Sequence, residues 1–502
     1  MPAGAGDAKL GHVLRALSPR VLLAFLVLAG FGFTCANRGL PLVRNSLVYA
    51  RASEHVIEHG YDPRPVVADS RLSYDKPILY AWVSAPFVRA LGNHDGLRAT
   101  SFLTTVAYLL ALLHFAGSFR SVLPPGGARL VLWLGALGPC VFYQFWSAHP
   151  DGWFAALAVL AWSLTQRLVA EPERDPVPGV LALGATLFCA LLLKNYGLVL
   201  LASCPLHLLL NLRALRADPA RFRRLAAALA AVLAAAGLFA ALAWTGHNPL
   251  WRLEGEGGGV GQYGAGELKR SAGGALVGLG IALLLHFQAA LAFGLRRGAW
   301  GRAVWLPLAA FGAPYVLGLL PFPTTFYNMR YFVPLFALGA LVLARGAAGC
   351  SPPLRRGVLA VHALLGALLI AAFNAAPLYR SVERWIPELE VRWIGVPLSL
   401  LDNLRMPQHL KQAAVLDHID ARVPPHATLY LLDLFYYGDA QHGVYERAGL
   451  IRADITTRYA ASRGFEAPEE GFYLYAPGPL GPELGQRAVD QGLGLYRIAP
   501  AG

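Results

Sequence analysis

Apolar residues along this chain gather into long unbroken runs separated by short Arg-rich gaps, a pattern unlike the stripes or alternation of a soluble domain. A bilayer span takes about 20 predominantly apolar residues. About eleven such runs are expected, near 18–36, 97–118, 130–147, 153–169, 179–194, 196–211, 225–246, 273–294, 303–321, 331–348 and 357–376. Basic residues mark alternate gaps: Arg120 and Arg129; Arg167 and Arg174; Arg213, Arg216, Arg221, Arg223 and Arg224; Arg296, Arg297 and Arg302; Arg345, Arg355 and Arg356. With the N-terminus inside, all of these groups fall on the cytoplasmic face, as the positive-inside rule requires. Lys9, Arg15 and Arg20 precede the first run without a convincing small-residue cleavage site after it, so an uncleaved first span is expected.

The remaining gaps then share the outer face: 37–96, 148–152, the turn at Lys194-Asn195, 247–272, 322–330 and everything after about 377. Beyond 377 charges return and apolar runs shorten. A helix is expected at 407–422, strands at Ala427 to Leu434 and Gly471 to Tyr475, a helix from Pro482 to Gln491, and a last strand from Gly494 to Ile498. The chain is therefore read as an α-helical polytopic membrane part, 1–376, with an outer loop at 37–96, followed by an extracytoplasmic α/β domain at 377–502. Neither a GxGxxG nor a GxxxxGK[ST] fingerprint occurs in that domain. The Gly-rich run from Gly255 to Gly261 is not flanked by a strand and a helix, and reads as a flexible outer loop.

Composition sharpens this picture. Of 502 residues 56% are hydrophobic and only 15% charged, and the mean hydropathy is +0.46, values that exclude an ordinary soluble domain. The formal charge of +13 is concentrated in loops as a topology signal, which argues against nucleic acid as a partner. Cys35, Cys140, Cys189, Cys204 and Cys350 are dispersed without CxxC or metal-ligand spacing and read as packing residues.

Chemistry is concentrated in the first outer loop, where Tyr49, Glu54, Asp62, Asp69, Asp75, Lys76 and Arg98 crowd beside the bilayer. His149, Asp151, Lys194, Glu254, Glu256 and Arg330 lie on the same side and could converge with Asp75 and Lys76 on one outer cavity. Ionisable groups at span ends are costly unless they face a cavity or a partner. Each also has a plain structural reading. Asp75-Lys76-Pro77 could be a charged turn, Lys194 could snorkel from a span end, Arg330 could anchor at the interface, and Asp151 suits a helix N-terminus. His149, beside Pro150, reads as structural, and Tyr49, Tyr80 and Trp82 suit an interfacial aromatic belt.

Tyr49-Ala50, Gly60, Asp75-Lys76-Pro77, Trp82 and Arg98, with Asp151, Lys194 before Gly197, and Arg330-Tyr331 further on, give the chain a family likeness over roughly residues 20 to 345. It resembles the GT-C type polyprenyl-phosphate-sugar glycosyltransferases, in the branch of the aminoarabinose transferases and protein O-mannosyltransferases. That resemblance implies an enzyme of the cell inner (plasma) membrane with an extracytoplasmic active site, moving a hexose or pentose from a polyprenyl-phosphate donor to a lipid or glycan acceptor, as in lipid A or glycan modification of the cell envelope. It implies Asp75, Lys76 and Asp151 as catalytic residues, and Tyr49, Arg98, Lys194, Arg330 and Tyr331 as substrate-binding residues. Asp75 would also hold a divalent metal, Mg²⁺ or Mn²⁺, beside the donor phosphate, or would orient Lys76. Asn45 stands where the family carries its first-loop aspartate, and an amide cannot act as a general base. Either a base comes from elsewhere, from Glu54, Asp69 or Asp151, or the acceptor is already ionised, or the chain is a non-catalytic lipid-binding or assembly protein. A lipid or sugar transporter is a further alternative, although no matched halves of broken helices are visible.

Overall fold

The computed structural model describes residues 18–43, 45–68, 78–250, 265–319, 329–382, 389–391, 396–398, 406–432, 445, 448–460, 465–476 and 480–500. Among the described residues nine helices are long and apolar enough to cross a membrane, or ten if the bent pair Gly127–Ala136 and Pro139–Trp146 forms one span. The eleventh expected run is the helix Gly197–Leu210, whose 14 residues reach about 21 Å at 1.5 Å per residue, less than the roughly 30 Å of hydrocarbon.

Helix starts follow local chemistry. Asp175 accepts from Val177 N at 3.4 Å ahead of Pro176–Leu193, and Asp218 accepts from Ala220 and Arg221 N at 3.0 Å ahead of Pro219–Trp244. In both, a side-chain oxygen satisfies orphan amides and a proline occupies a position whose amide has no partner to lose. Outward faces are apolar, with Leu28, Leu181, Leu238 and Leu364 all about 60–70% exposed, which suits hydrocarbon rather than water. The expected single run at 130–147 is broken by a 68° bend. Pro139 lacks an amide and disfavours a helical residue before it, and His286 packs directly against Gly138, where a Cβ has no room.

The chain divides into two compact units, one of Met1–Asn37, Ser101–Trp146 and Pro150–Leu404, the other of Arg38–Thr100, Ser147–His149 and Arg405–Gly502. In the second unit the segment 38–100 contributes the helices Asn45–Glu58 and Arg64–Ala68 and the start of Leu79–Ser118, which breaks at Gly92 with φ 80° and ψ 168°. The stretch from Arg38 to Leu42 offers its carbonyls to side chains of this unit. Arg98 donates to the carbonyls of Arg38 and Leu40, His409 Nδ1 lies 2.8 Å from that of Pro41, and Tyr445 Oη donates to that of Leu42 at 2.6 Å. Buried carbonyls need such donors.

Short strands β1 (Leu389–Val391) and β2 (Val396–Leu398) form an antiparallel pair. The C-terminal sheet comprises β3 (Thr428–Leu432), β4 (Thr456–Ala460), β5 (Phe472–Tyr475), β6 (Ala488–Gly492) and β7 (Leu495–Ile498), in the order β4-β3-β5-β7-β6. β3 pairs parallel with β4 and β5, and β5-β7-β6 is antiparallel. Leu432, Phe472, Leu474, Ala476 and Ile498 form its core. The expected helix Met406–Arg422 and strands β3, β5 and β7 are present. The helix expected from Pro482 to Gln491 is corrected. It stops at Arg487, and Ala488–Gly492 turns through Gly492, Leu493 and Gly494, all at positive φ, to pair with β7.

Candidate active site

Three elements of the membrane unit bring their ends together. Asp151 opens the helix Asp151–Ala170, so its carboxylate sits at the positive end of the dipole. Lys194 caps Pro176–Leu193 in extended conformation and starts a tight turn in which Gly197 N donates to Lys194 O at 2.8 Å. A Cβ at Gly197 would come within 2.7 Å of the Ala190 carbonyl, so the turn needs glycine there. Arg330 lies in the 3₁₀ turn Met329–Phe332, which leads into Val333–Ala348.

Asp151 carries one cation on each oxygen. Lys194 Nζ donates to Oδ1, and Arg330 Nε lies 2.9 Å from Oδ2. The Asp151 and Arg330 side chains are each 3% exposed and that of Lys194 is 12% exposed. Two cations face one carboxylate, so the cluster carries one net positive charge. Arg330 Nη1 is buried and makes no hydrogen bond among the described residues, a state that costs about 1–3 kcal/mol for an ordinary polar group and more for a charged one.

Aromatic rings surround the cluster. Lys194 Nζ lies 4.6 Å from the Tyr331 ring centroid and 5.7 Å from that of Tyr196, and the Arg330 guanidinium lies 5.3 Å from Tyr331. Tyr196 and Tyr331 meet edge to face at 5.3 Å, and Tyr315 Oη donates to the Tyr331 carbonyl at 2.8 Å. Phe154 and Trp162 pack on Tyr315 from the other side. Tyr196, Tyr331 and Lys194 are partly exposed while Asp151 and Arg330 are buried, so the charge is approached past aromatic faces. Elsewhere in this unit Leu283, Phe287, Leu295, Leu308, Val316 and Leu343 line an apolar cavity of about 650 Å³.

Solved structures of similar fold include ArnT from Cupriavidus metallidurans bound to undecaprenyl phosphate, with a TM-score of 0.53 and 13% identity, over 95% of this chain and 97% of that one. The chain has a GT-C fold. ArnT in the apo state matches it with a TM-score of 0.51 and 14% identity, over 88% of this chain and 85% of the other. No protein-family model and no curated protein matches the sequence.

Of the site residues expected from sequence, this GT-C chain brings Asp151, Lys194, Arg330 and Tyr331 into one cluster. Asp75, Lys76 and Asp69 lie outside the described residues, as do Glu254 and Glu256. In the other unit Arg98 is 2% exposed and its guanidinium holds two backbone carbonyls. Tyr49 is buried against Tyr80, with ring centroids 5.0 Å apart, whereas Trp82 is 43% exposed. His149 is buried with its Nε2 3.2 Å from Ser46 Oγ. Glu54 accepts from Asn93 Nδ2 at 3.2 Å and lies 3.6 Å from Arg51. Asn45 is the first residue of its helix. Tyr196 and Tyr315 were not expected. Tyr196 stands two residues after Lys194, and that proximity was the available signal.

Proposed function

We propose that this chain is an integral-membrane glycosyltransferase of the plasma membrane that moves a sugar from a polyprenyl-phosphate donor to an extracytoplasmic lipid or glycan acceptor. The observation that supports this most is Arg330: a buried guanidinium whose Nη1 makes no hydrogen bond among the described residues, beside Lys194, in a described cluster of net positive charge. Breaking the bond from sugar to phosphate leaves negative charge on the departing phosphate, and cations fixed in place where water is scarce stabilise that charge without reorganising. Arginine offers paired donors for phosphate oxygens and lysine a compact charge. Asp151 is a positioning residue in this reading, because a carboxylate with a cation on each oxygen sets the spacing of both. The apolar cavity supplies a place for hydrocarbon.

Asp75 and Lys76 remain proposed partners in the reaction. Asp75 lies outside the described residues, and the described cluster leaves a divalent ion no unengaged carboxylate, since Asp151 is held by Lys194 and Arg330. With Asn45 unable to take a proton, the reading favours an acceptor that arrives ionised, such as a phosphate or carboxylate. Asn45 is also what favours the second reading, a chain that binds polyprenyl phosphate without transfer.

Membranes from cells making wild type, Asp75→Ala/Lys76→Ala or Arg330→Ala at equal insertion separate the two. Extracted lipids and surface glycans are compared by mass spectrometry. A sugar increment present only with wild type supports transfer. Equal profiles, with polyprenyl phosphate still bound by purified wild type, leave the binding reading.

A further inference from the structure

The helix Asn45–Glu58 and the residue after it place His55, Glu58 and His59 together, with ligand atoms all within 4.8 Å of one another. We propose that these three residues form a site for a divalent transition-metal ion, with Zn²⁺ the best fit. The proposal is independent of the transferase reading and of the ion assigned to Asp75.

Residues three and four apart lie on one helix face, and the two imidazoles are close, with ring centroids 4.2 Å apart. The helical hydrogen bond from His59 N to His55 O, 3.1 Å, fixes that spacing. His59 Nδ1 lies 2.9 Å from the same carbonyl. A carbonyl only accepts, so Nδ1 carries the proton and Nε2 keeps its lone pair. Fixing the tautomer by a bond from the other nitrogen to a carbonyl is how metal-ligating histidines are commonly oriented.

His55 Nδ1 lies 3.1 Å from Glu58 Oε2. The other carboxylate oxygen is held by Arg51, whose Nη1 lies 2.7 Å from Oε1. Arg51 Nη2 also donates to Oε2, at 3.4 Å, so that oxygen is shared between Arg51 and the His55 imidazole. Two imidazole nitrogens and one carboxylate oxygen are a donor set suited to zinc, with water completing a tetrahedron. Tetrahedral bonding needs the ligand atoms about 3.3 Å apart, a modest closing from the present spacing. Glu58 and His59 are exposed and His55 partly so, so an ion has direct access. Gly60 and Tyr61 follow at φ 63° and 69°, and a bound ion would pin the helix end to that turn.

The test uses full-length protein purified without a polyhistidine tag and stripped with chelator. Zn²⁺ is titrated calorimetrically and Co²⁺ by its visible absorption. One equivalent is expected to bind, with affinity at least tenfold weaker in His55→Ala and in His59→Ala, and Zn²⁺ should raise the melting temperature of wild type but not of His59→Ala. His59 is exposed, so its loss leaves the fold intact. Absence of Zn²⁺ binding by wild type, or equal affinity in both variants, overturns the proposal and leaves a surface ion-pair cluster.

Discussion

Replacing Asp151 by Asn removes one charge and leaves the shape nearly unchanged, which makes it the most direct probe of the candidate site. At 2.9 Å from Arg330, the pair's Coulomb attraction is about 6 kcal/mol at an effective dielectric of 20. Desolvation offsets much of that in the intact pair. The offset disappears when only one partner goes, because Arg330 then stays buried and charged, and such single removals cost about 3–5 kcal/mol. Lys194, with 12% of its side chain exposed, can turn towards water and contributes less. For a chain of this length a loss of that size corresponds to a fall in melting temperature of roughly 3–5 °C. The assay is thermal stability of the detergent-purified protein followed by fluorescence-detected size exclusion at a fixed heating time, since unfolding of a membrane protein is commonly irreversible. Asp151→Asn/Arg330→Met removes both charges and should recover at least half of the loss. An Asp151→Asn protein as stable as wild type, or a double variant with the two losses simply added, would refute a desolvated, mutually dependent pair.

Two predictions concern the C-terminal sheet. Leu474→Ala, at a fully buried position in β5 between β3 and β7, should destabilise that unit by about 2–5 kcal/mol, read as faster limited proteolysis after Arg458 and Arg487 with helices of the membrane unit still protected. Tyr475 has its pKa raised above 10.0 by burial. The folded unit therefore favours the neutral phenol, and that contribution is whole below pH 10 and lost as the pH rises through the folded value. Tyr475→Phe should flatten the alkaline loss of stability in the same proteolysis assay. An unchanged alkaline limb would place the cause elsewhere.

Legibility in the sequence followed the range of the forces involved. Bilayer spans are local and strong signals, since some 20 contiguous residues must be apolar, and the helical scaffold was readable for that reason. The polar exceptions Asp151, Lys194 and Arg330 could be brought to one cluster because each stands at a span end where an unpaired charge is costly. Their pairing was not readable, since which oxygen meets which nitrogen is decided by turns such as that at Gly197. Arg98 is a case where the sequence and the contacts carry different information. An arginine in a polar loop reads as a ligand-binding group, yet the carbonyls of Arg38 and Leu40 take both of its terminal nitrogens. The end of the helix at Arg487 was missed because Ala488, Val489, Asp490 and Gln491 have no strong preference of their own. Their conformation is set by pairing with β7, a contact made possible by three successive positive φ angles that only partly register as glycine.

The same carboxylate that stabilises the empty site must also oppose the ligand proposed for it. Arg330 buried without a counter-ion would destabilise the fold, and the carboxylate between it and Lys194 relieves that cost while leaving one net positive charge. An incoming phosphate monoanion neutralises the remainder, but it does so against the repulsion of Asp151. Stability and affinity should therefore respond to Asp151→Asn in opposite directions: the variant melts lower when empty and binds polyprenyl phosphate more tightly. Ligand should raise its melting temperature by more than that of wild type, because at a given concentration the stabilisation from binding grows with the logarithm of affinity. A ligand-induced rise in the variant equal to or below that in wild type would mean that the phosphate does not meet these cations, and the assignment of Lys194 and Arg330 to the donor would fall with it.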